Sequence, residues 1–150
     1  MLGKKYMITK SVRVIFDTNV WISFLIGKRL SRIKNFISNG KIIIIITPQL
    51  LNEIELVTTR EKLKKYFPKQ SVQDLLDLLE TVGELIEIKP INFSCRDPKD
   101  NFLLDLIEFS NANFLITGDK DLLEQNPFKN ARILSPNDFE IELDKFTSNT

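Results

Sequence analysis

Ile42-Ile43-Ile44-Ile45-Ile46 is the stretch that decides how this chain folds. Five consecutive β-branched side chains suit a central strand covered on both faces, and an exposed strand of that composition would invite aggregation. Such strands belong to mostly parallel sheets sandwiched between helices. Working outward, apolar runs at 12–16, 41–46, 85–88, 113–116 and 132–134 predict the strands. Segments of helical period alternate with them at 20–25, 31–38, 48–58, 61–66, 71–82, 98–111, 120–124 and 137–143. Thr47-Pro48 and Asp97-Pro98 each set a capping residue before a proline at the first helical position. The expected fold class is α/β: a three-layer α/β/α sandwich with a central, mostly parallel sheet of about five strands.

The totals narrow the class of protein. A chain of 150 residues suits one domain, with a core over about 12–144 and peripheral ends at 1–11 and 145–150. With 43% hydrophobic and 27% charged residues, the composition is globular and not disordered. A net charge of +1 gives no overall basic signal, so any nucleic-acid surface must come from local charge distribution. The single cysteine, Cys95, excludes an internal disulfide. No apolar run approaches the roughly 18 residues of a membrane span, and no secretory signal is visible at the N-terminus. The expectation is a cytoplasmic protein without membrane association.

Four acids stand out because strand-following residues gather on one edge of a parallel sheet. Asp17 follows Val14-Ile15-Phe16, and Asp119 follows Phe114-Leu115-Ile116-Thr117-Gly118. Glu53 falls in the second turn after the isoleucine strand. At about 100° per residue it lies about 70° from the centre of a stripe of Leu50, Leu51, Ile54, Leu56 and Val57, whereas Glu55 points to water. Asp100 heads the spacing Leu103, Leu104, Ile107 and should face the sheet edge, while Asp105 falls outside that stripe and should be solvated. Each acid also has a plain structural reading. Asp17 and Asp97 suit N-caps, Asp100 suits the first turn of a helix, and Thr-Gly-Asp suits a turn. Jointly they predict carboxylates converging where repulsion would be costly without a cation. Histidine is absent from the chain. Oxygen-only ligands suit Mg²⁺ or Mn²⁺ and not zinc.

These pieces, taken in order with Asp97-Pro98-Lys99-Asp100-Asn101 and Thr117-Gly118-Asp119-Lys120-Asp121-Leu122-Leu123, resemble the PIN-domain nucleases. The likeness is to PIN-family (VapC-like) toxins of prokaryotic toxin–antitoxin systems and runs from about residue 12 to 135. By this resemblance Asp17, Glu53, Asp100 and Asp119 match the catalytic acidic metal site. Asn19, Thr117 and Asp121 match or neighbour its supporting residues. The resemblance implies single-stranded RNA cleavage with Mg²⁺ or Mn²⁺, a cognate antitoxin protein and a homodimer. Asp17 and Asp119 are then expected as direct ligands, with Glu53 and Asp100 acting through water or on a second ion.

For substrate contacts, the cluster Lys28, Arg29, Arg32 and Lys34 lies just after the first strand–helix turn, and Lys120 lies beside Asp119. Trp21 and Phe24 suit either base stacking or the core. The basic group Arg60, Lys62, Lys64 and Lys65 reads as an exposed helix. Two other readings compete: a non-catalytic RNA- or protein-binding module, and a haloacid-dehalogenase-type phosphatase. The second is disfavoured because Asn19 stands where that chemistry wants a second aspartate.

Overall fold

The strands are β1 (Val12–Phe16), β2 (Ile42–Ile46), β3 (Glu84–Leu85), β4 (Phe114–Ile116) and β5 (Arg132–Leu134). They form one sheet in the order β3-β2-β1-β4-β5, with every neighbouring pair parallel. The computed structural model describes residues 11–27 and 30–148. The α-helices of these residues are α1 (Thr18–Gly27), α2 (Leu30–Ser38), α3 (Pro48–Thr58), α4 (Lys69–Val82), α5 (Asn101–Ser110), α6 (Lys120–Leu123) and α7 (Pro136–Ser148). Among the described residues no helix is long and apolar enough to cross a membrane. The result is the expected three-layer α/β/α sandwich.

The isoleucine strand lies inside the sheet, between β1 and β3, with Ile42, Ile44, Ile45 and Ile46 buried. Helices α2 and α4 pack against it. Burying one such side chain stabilises the fold by about 1.5–3 kcal/mol, so the run anchors the whole left half of the sheet. On the other side, Phe16 meets Trp21, Phe24 and Phe139 edge-on, at centroid separations of 5.0, 5.4 and 5.6 Å. Trp21 and Phe24 are therefore core residues and offer no face to a base.

Three elements differ from expectation. The third strand was expected at 85–88 but pairs only over Glu84–Leu85. Its partner β2 ends at Ile46 and turns into α3 through Thr47-Pro48. After the bond from the Ile86 N–H to the Ile46 carbonyl (2.8 Å), no strand remains to pair with. The helix expected at 61–66 is a turn ending in a 3₁₀ segment at Lys64–Tyr66. Phe67 then buries itself and Pro68 follows, which disfavours helix at the residue before it. The helix expected from 98 begins instead as a 3₁₀ turn, Pro98–Asp100, and becomes α-helical at Asn101.

The topology also prepares a site. From β1 the chain moves to β2 and β3 on one side, then returns to place β4 and β5 on the other. The carboxyl ends of β1 and β4 flank this reversal, where α/β sheets open a crevice.

Candidate active site

Asp17 leaves the end of β1 and is only 7% exposed. Its Oδ1 accepts from the N–H of Asn19 (2.8 Å) and of Val20 (3.3 Å), so it does cap α1. Its Oδ2 accepts from the Thr117 hydroxyl. The Thr117 oxygen in turn accepts from the Asp119 N–H at 3.0 Å. Thr117 thus ties the ends of β1 and β4 together. Asp119 caps α6 by accepting from the Asp121 N–H at 2.8 Å. The capping reading of these aspartates holds, and a cap fixes a carboxylate without covering all its lone pairs.

Asp97 caps the 3₁₀ turn through the Lys99 N–H (3.2 Å), whereas Thr47 makes no side-chain cap bond. That turn delivers Asp100 into the crevice, where its Oδ2 is buried with no hydrogen-bond partner. On the facing wall the Thr18 hydroxyl donates to Glu53 Oε2 at 2.8 Å. Asp17, Glu53, Asp100 and Asp119 all line one cleft of about 390 Å³, together with Asn19 and Asp97.

The electrostatics show how crowded the charges are. Burial, then the neighbouring Asp119 and Asp97 carboxylates, push Asp100 up to about 7, with Lys99 opposing. Burial also raises Asp17; its bonds from Thr117, Val20 and Asn19 act against that, and Asp119 adds to it. The buried Cys95 thiol is pushed up to about 11 by burial first and then by Asp100 and Asp119. A cation beside Asp100 and Asp17 would offset this repulsion and favour their charged forms.

The residues fit a hard divalent ion. Every side-chain donor is an oxygen, and one carboxylate oxygen stands buried and unpaired. Among the described residues no group of three or more His, Cys, Asp or Glu side chains is placed so as to hold a metal ion.

The substrate-contact expectations fare differently. Lys28 and Arg29 lie outside the described residues. Arg32 is turned away from the cleft and paired with Glu140 and, at 2.6 Å, Asp144. Lys120 is exposed beside Asp119 but does not line the cleft. Asp121 is tied to Arg96 Nε at 3.7 Å. Among the described residues, the cations that do line the cleft are Lys99 and Arg60. Arg60 lies two residues past the end of α3, so helical spacing did not point to it; Glu53, Leu56 and Val57, at i, i+3 and i+4 of α3, share the face that lines the cleft. Leu56, expected in the core stripe, is 65% exposed on that face. Asp105, expected in water, is 2% exposed. It accepts from the N–H groups of Ile91 (3.1 Å) and Asn92 (2.8 Å) and from the Asn92 amide (2.9 Å).

Comparison with known proteins agrees with this architecture. The PIN domain family model matches residues 13–121. An uncharacterised protein of Methanocaldococcus jannaschii, MJ1680, is 32% identical over 149 residues, covering 91% of this chain and 95% of that one. Among solved structures, PAE2754 from Pyrobaculum aerophilum superposes with a TM-score of 0.57 at 15% identity, covering 89% of this chain and 90% of that one. VapBC2 from Rickettsia felis, bound to a DNA fragment from its promoter, gives 0.53 at 16% identity, covering 83% of this chain and 98% of that one.

Proposed function

Because the chain belongs to the PIN domain family, we propose that it is a Mg²⁺- or Mn²⁺-dependent endoribonuclease that cuts single-stranded RNA, serving as the toxin of a toxin–antitoxin pair. The observation that carries the reading is the convergence of Asp17, Glu53, Asp100 and Asp119 from four separate segments on one cleft, with Asp100 Oδ2 buried and unpartnered.

Asp17 and Asp119 are the carboxylates whose positions the backbone fixes most firmly, so they would hold the ion, with Asp100 beside them and Glu53 across the cleft. When bound, the ion supplies charge neutralisation at the scissile phosphate and acidifies the attacking water. Thr117 keeps Asp17 and Asp119 in register across the sheet reversal. Thr18 holds Glu53 on its wall. Lys99 and Arg60 supply positive charge at the cleft and receive the RNA backbone there. The antitoxin and homodimer parts of the proposal rest on the likeness of the acidic motifs to toxins of that kind. Co-expression with the product of the neighbouring gene should suppress cleavage.

The test is cleavage of labelled single-stranded RNAs by purified, partner-free protein in Mn²⁺, Mg²⁺ or EDTA, beside Asp17→Asn and Asp119→Asn. Cleavage should require metal and fall at least about a hundredfold in each variant. Cleavage that persists undiminished in both variants would remove these residues from the site. RNA binding without cleavage under every condition would make the chain a binding module.

A further inference from the structure

Next to the acidic cleft lies a second depression of about 330 Å³, of different character. Its lining includes Gln49, Ile88, Pro90, Phe93, Pro98 and Lys99. Two features join it to the cleft. Lys99 lines both, on the turn that delivers Asp100. Gln49 stands four residues before Glu53 on α3, so the two share one helix face, one turn apart. Phe93 is 77% exposed, the most exposed large hydrophobic side chain among the described residues. The segment bearing it is held from beneath by the buried Asp105 carboxylate, through the Ile91 and Asn92 N–H groups.

We infer that this depression is a nucleobase subsite, and that Phe93 stacks on a base of the RNA strand whose phosphate occupies the acidic cleft. The inference rests on the ribonuclease reading. A nucleotide alternates a charged phosphate with a flat ring that has apolar faces and a hydrogen-bonding edge. The surface alternates in the same way: carboxylates and Lys99 at the cleft, then an aromatic face, aliphatic walls and the Gln49 amide beside it. Base–aromatic stacking tolerates every base, so the ring supplies affinity, while an amide reads a base edge and supplies preference. The loop anchored by Asp105 keeps the ring in place. Asp105, which also lines the depression, acts in this scheme as a positioning residue.

The experiment uses the full chain and a single-stranded RNA whose cut position has been mapped. Copies of that RNA carry one abasic nucleotide at successive positions on either side of the cut. Wild type, Phe93→Ala, Phe93→Trp and Gln49→Ala are compared by KM and kcat. Phe93→Ala should raise KM about tenfold on intact RNA and leave kcat within about twofold. Phe93→Trp should restore KM. At one abasic position wild type should show the same tenfold loss, and Phe93→Ala should lose nothing more there, since ring and base form one contact. Gln49→Ala should flatten the preference among the four bases at that position.

Equal KM for wild type and Phe93→Ala on RNA that wild type does cut would overturn the subsite and leave the nuclease standing. So would a Phe93→Ala loss that adds in full to the loss at every abasic position. A shift from dimer to monomer in Phe93→Ala, with KM unchanged at saturating protein, would reassign Phe93 to contact with a second copy. No cleavage of any RNA by wild type would remove both readings.

Discussion

Asp100 carries the largest electrostatic strain in the cleft, and that strain has a consequence for stability. Its carboxyl is raised to about 7 by burial first and then by Asp119, so between pH 4 and 7 the folded chain keeps a proton that the unfolded chain has released. Stability of the metal-free protein must therefore fall as pH rises through that window and level off above it; Asp17, also raised, acts in the same direction. Asp100→Asn removes the penalty. In EDTA at pH 7.5 the variant should melt above wild type by roughly 2–4 °C after allowing for solvent screening, and the gain should shrink toward pH 5. A melting curve at each pH decides it, and a variant that melts lower at pH 7.5 would refute the strained-carboxylate picture. Asp105 presents the opposite case, a buried acid with its lone pairs used. Asp105→Ala takes their carboxylate partner from the part-buried Ile91 and Asn92 N–H groups and should cost about 1–3 kcal/mol in urea unfolding, whatever metal is present. The sequence pattern placed Asp105 in water because helical periodicity reports one buried face. Phe102 to Ile107 are all buried, so α5 has no solvent side along that stretch. Arg32 was misplaced for a different reason, since its partners Glu140 and Asp144 lie on α7, more than a hundred residues away in sequence.

At the scale of elements, strand positions were readable, and so were the lengths of all strands but β3. The run 42–46 needs burial whatever surrounds it, so composition alone identifies β2. The extent of β3 depends on where β2 stops, and that is set by Thr47-Pro48 on another segment. Asp17, Asp100 and Asp119 were legible because each follows a strand or opens a helix, and Glu53 because it borders the apolar stripe of α3, all local properties. Lys99, Arg60 and the depression beside them were not, since they depend on how α3 meets the 3₁₀ turn at Pro98–Asp100. Gly83 marks the tightest joint in this arrangement, where α4 ends against β2. A Cβ built there would meet the Leu79 carbonyl oxygen at 2.4 Å and Ile46 Cδ1 at 2.8 Å. Backbone cannot yield as a side chain can, so Gly83→Ala should destabilise by about 1–3 kcal/mol through overpacking. Thermal or urea unfolding reads this directly, and because the joint lies on the β2–β3 side, metal-dependent cleavage by the folded fraction should be unchanged. A variant as stable as wild type would mean the joint is looser than drawn.

Across the whole molecule the charge is nearly balanced, at +1, yet among the described residues the cleft concentrates acids against two cations, Arg60 and Lys99. A nucleic-acid backbone approaching the metal-free cleft meets like charge, and the walls of a crevice sharpen that field. RNA affinity of the intact protein should therefore be conditional on the ion, which is unusual for a surface that binds phosphate through basic residues alone. In EDTA, Asp119→Asn lowers the repulsion and should bind a labelled single-stranded RNA several-fold more tightly than wild type. In Mn²⁺ the order should reverse, because the variant has lost a carboxylate that would hold the ion. Fluorescence anisotropy at fixed ionic strength follows both halves, with early time points taken before cleavage. Fixed ionic strength matters because exposed charges are screened over about 8–10 Å at physiological salt. If wild type binds RNA equally well in EDTA and in Mn²⁺, and the variant tracks it in both, the strand does not enter the acidic cleft. The binding surface would then have to be sought elsewhere on the molecule.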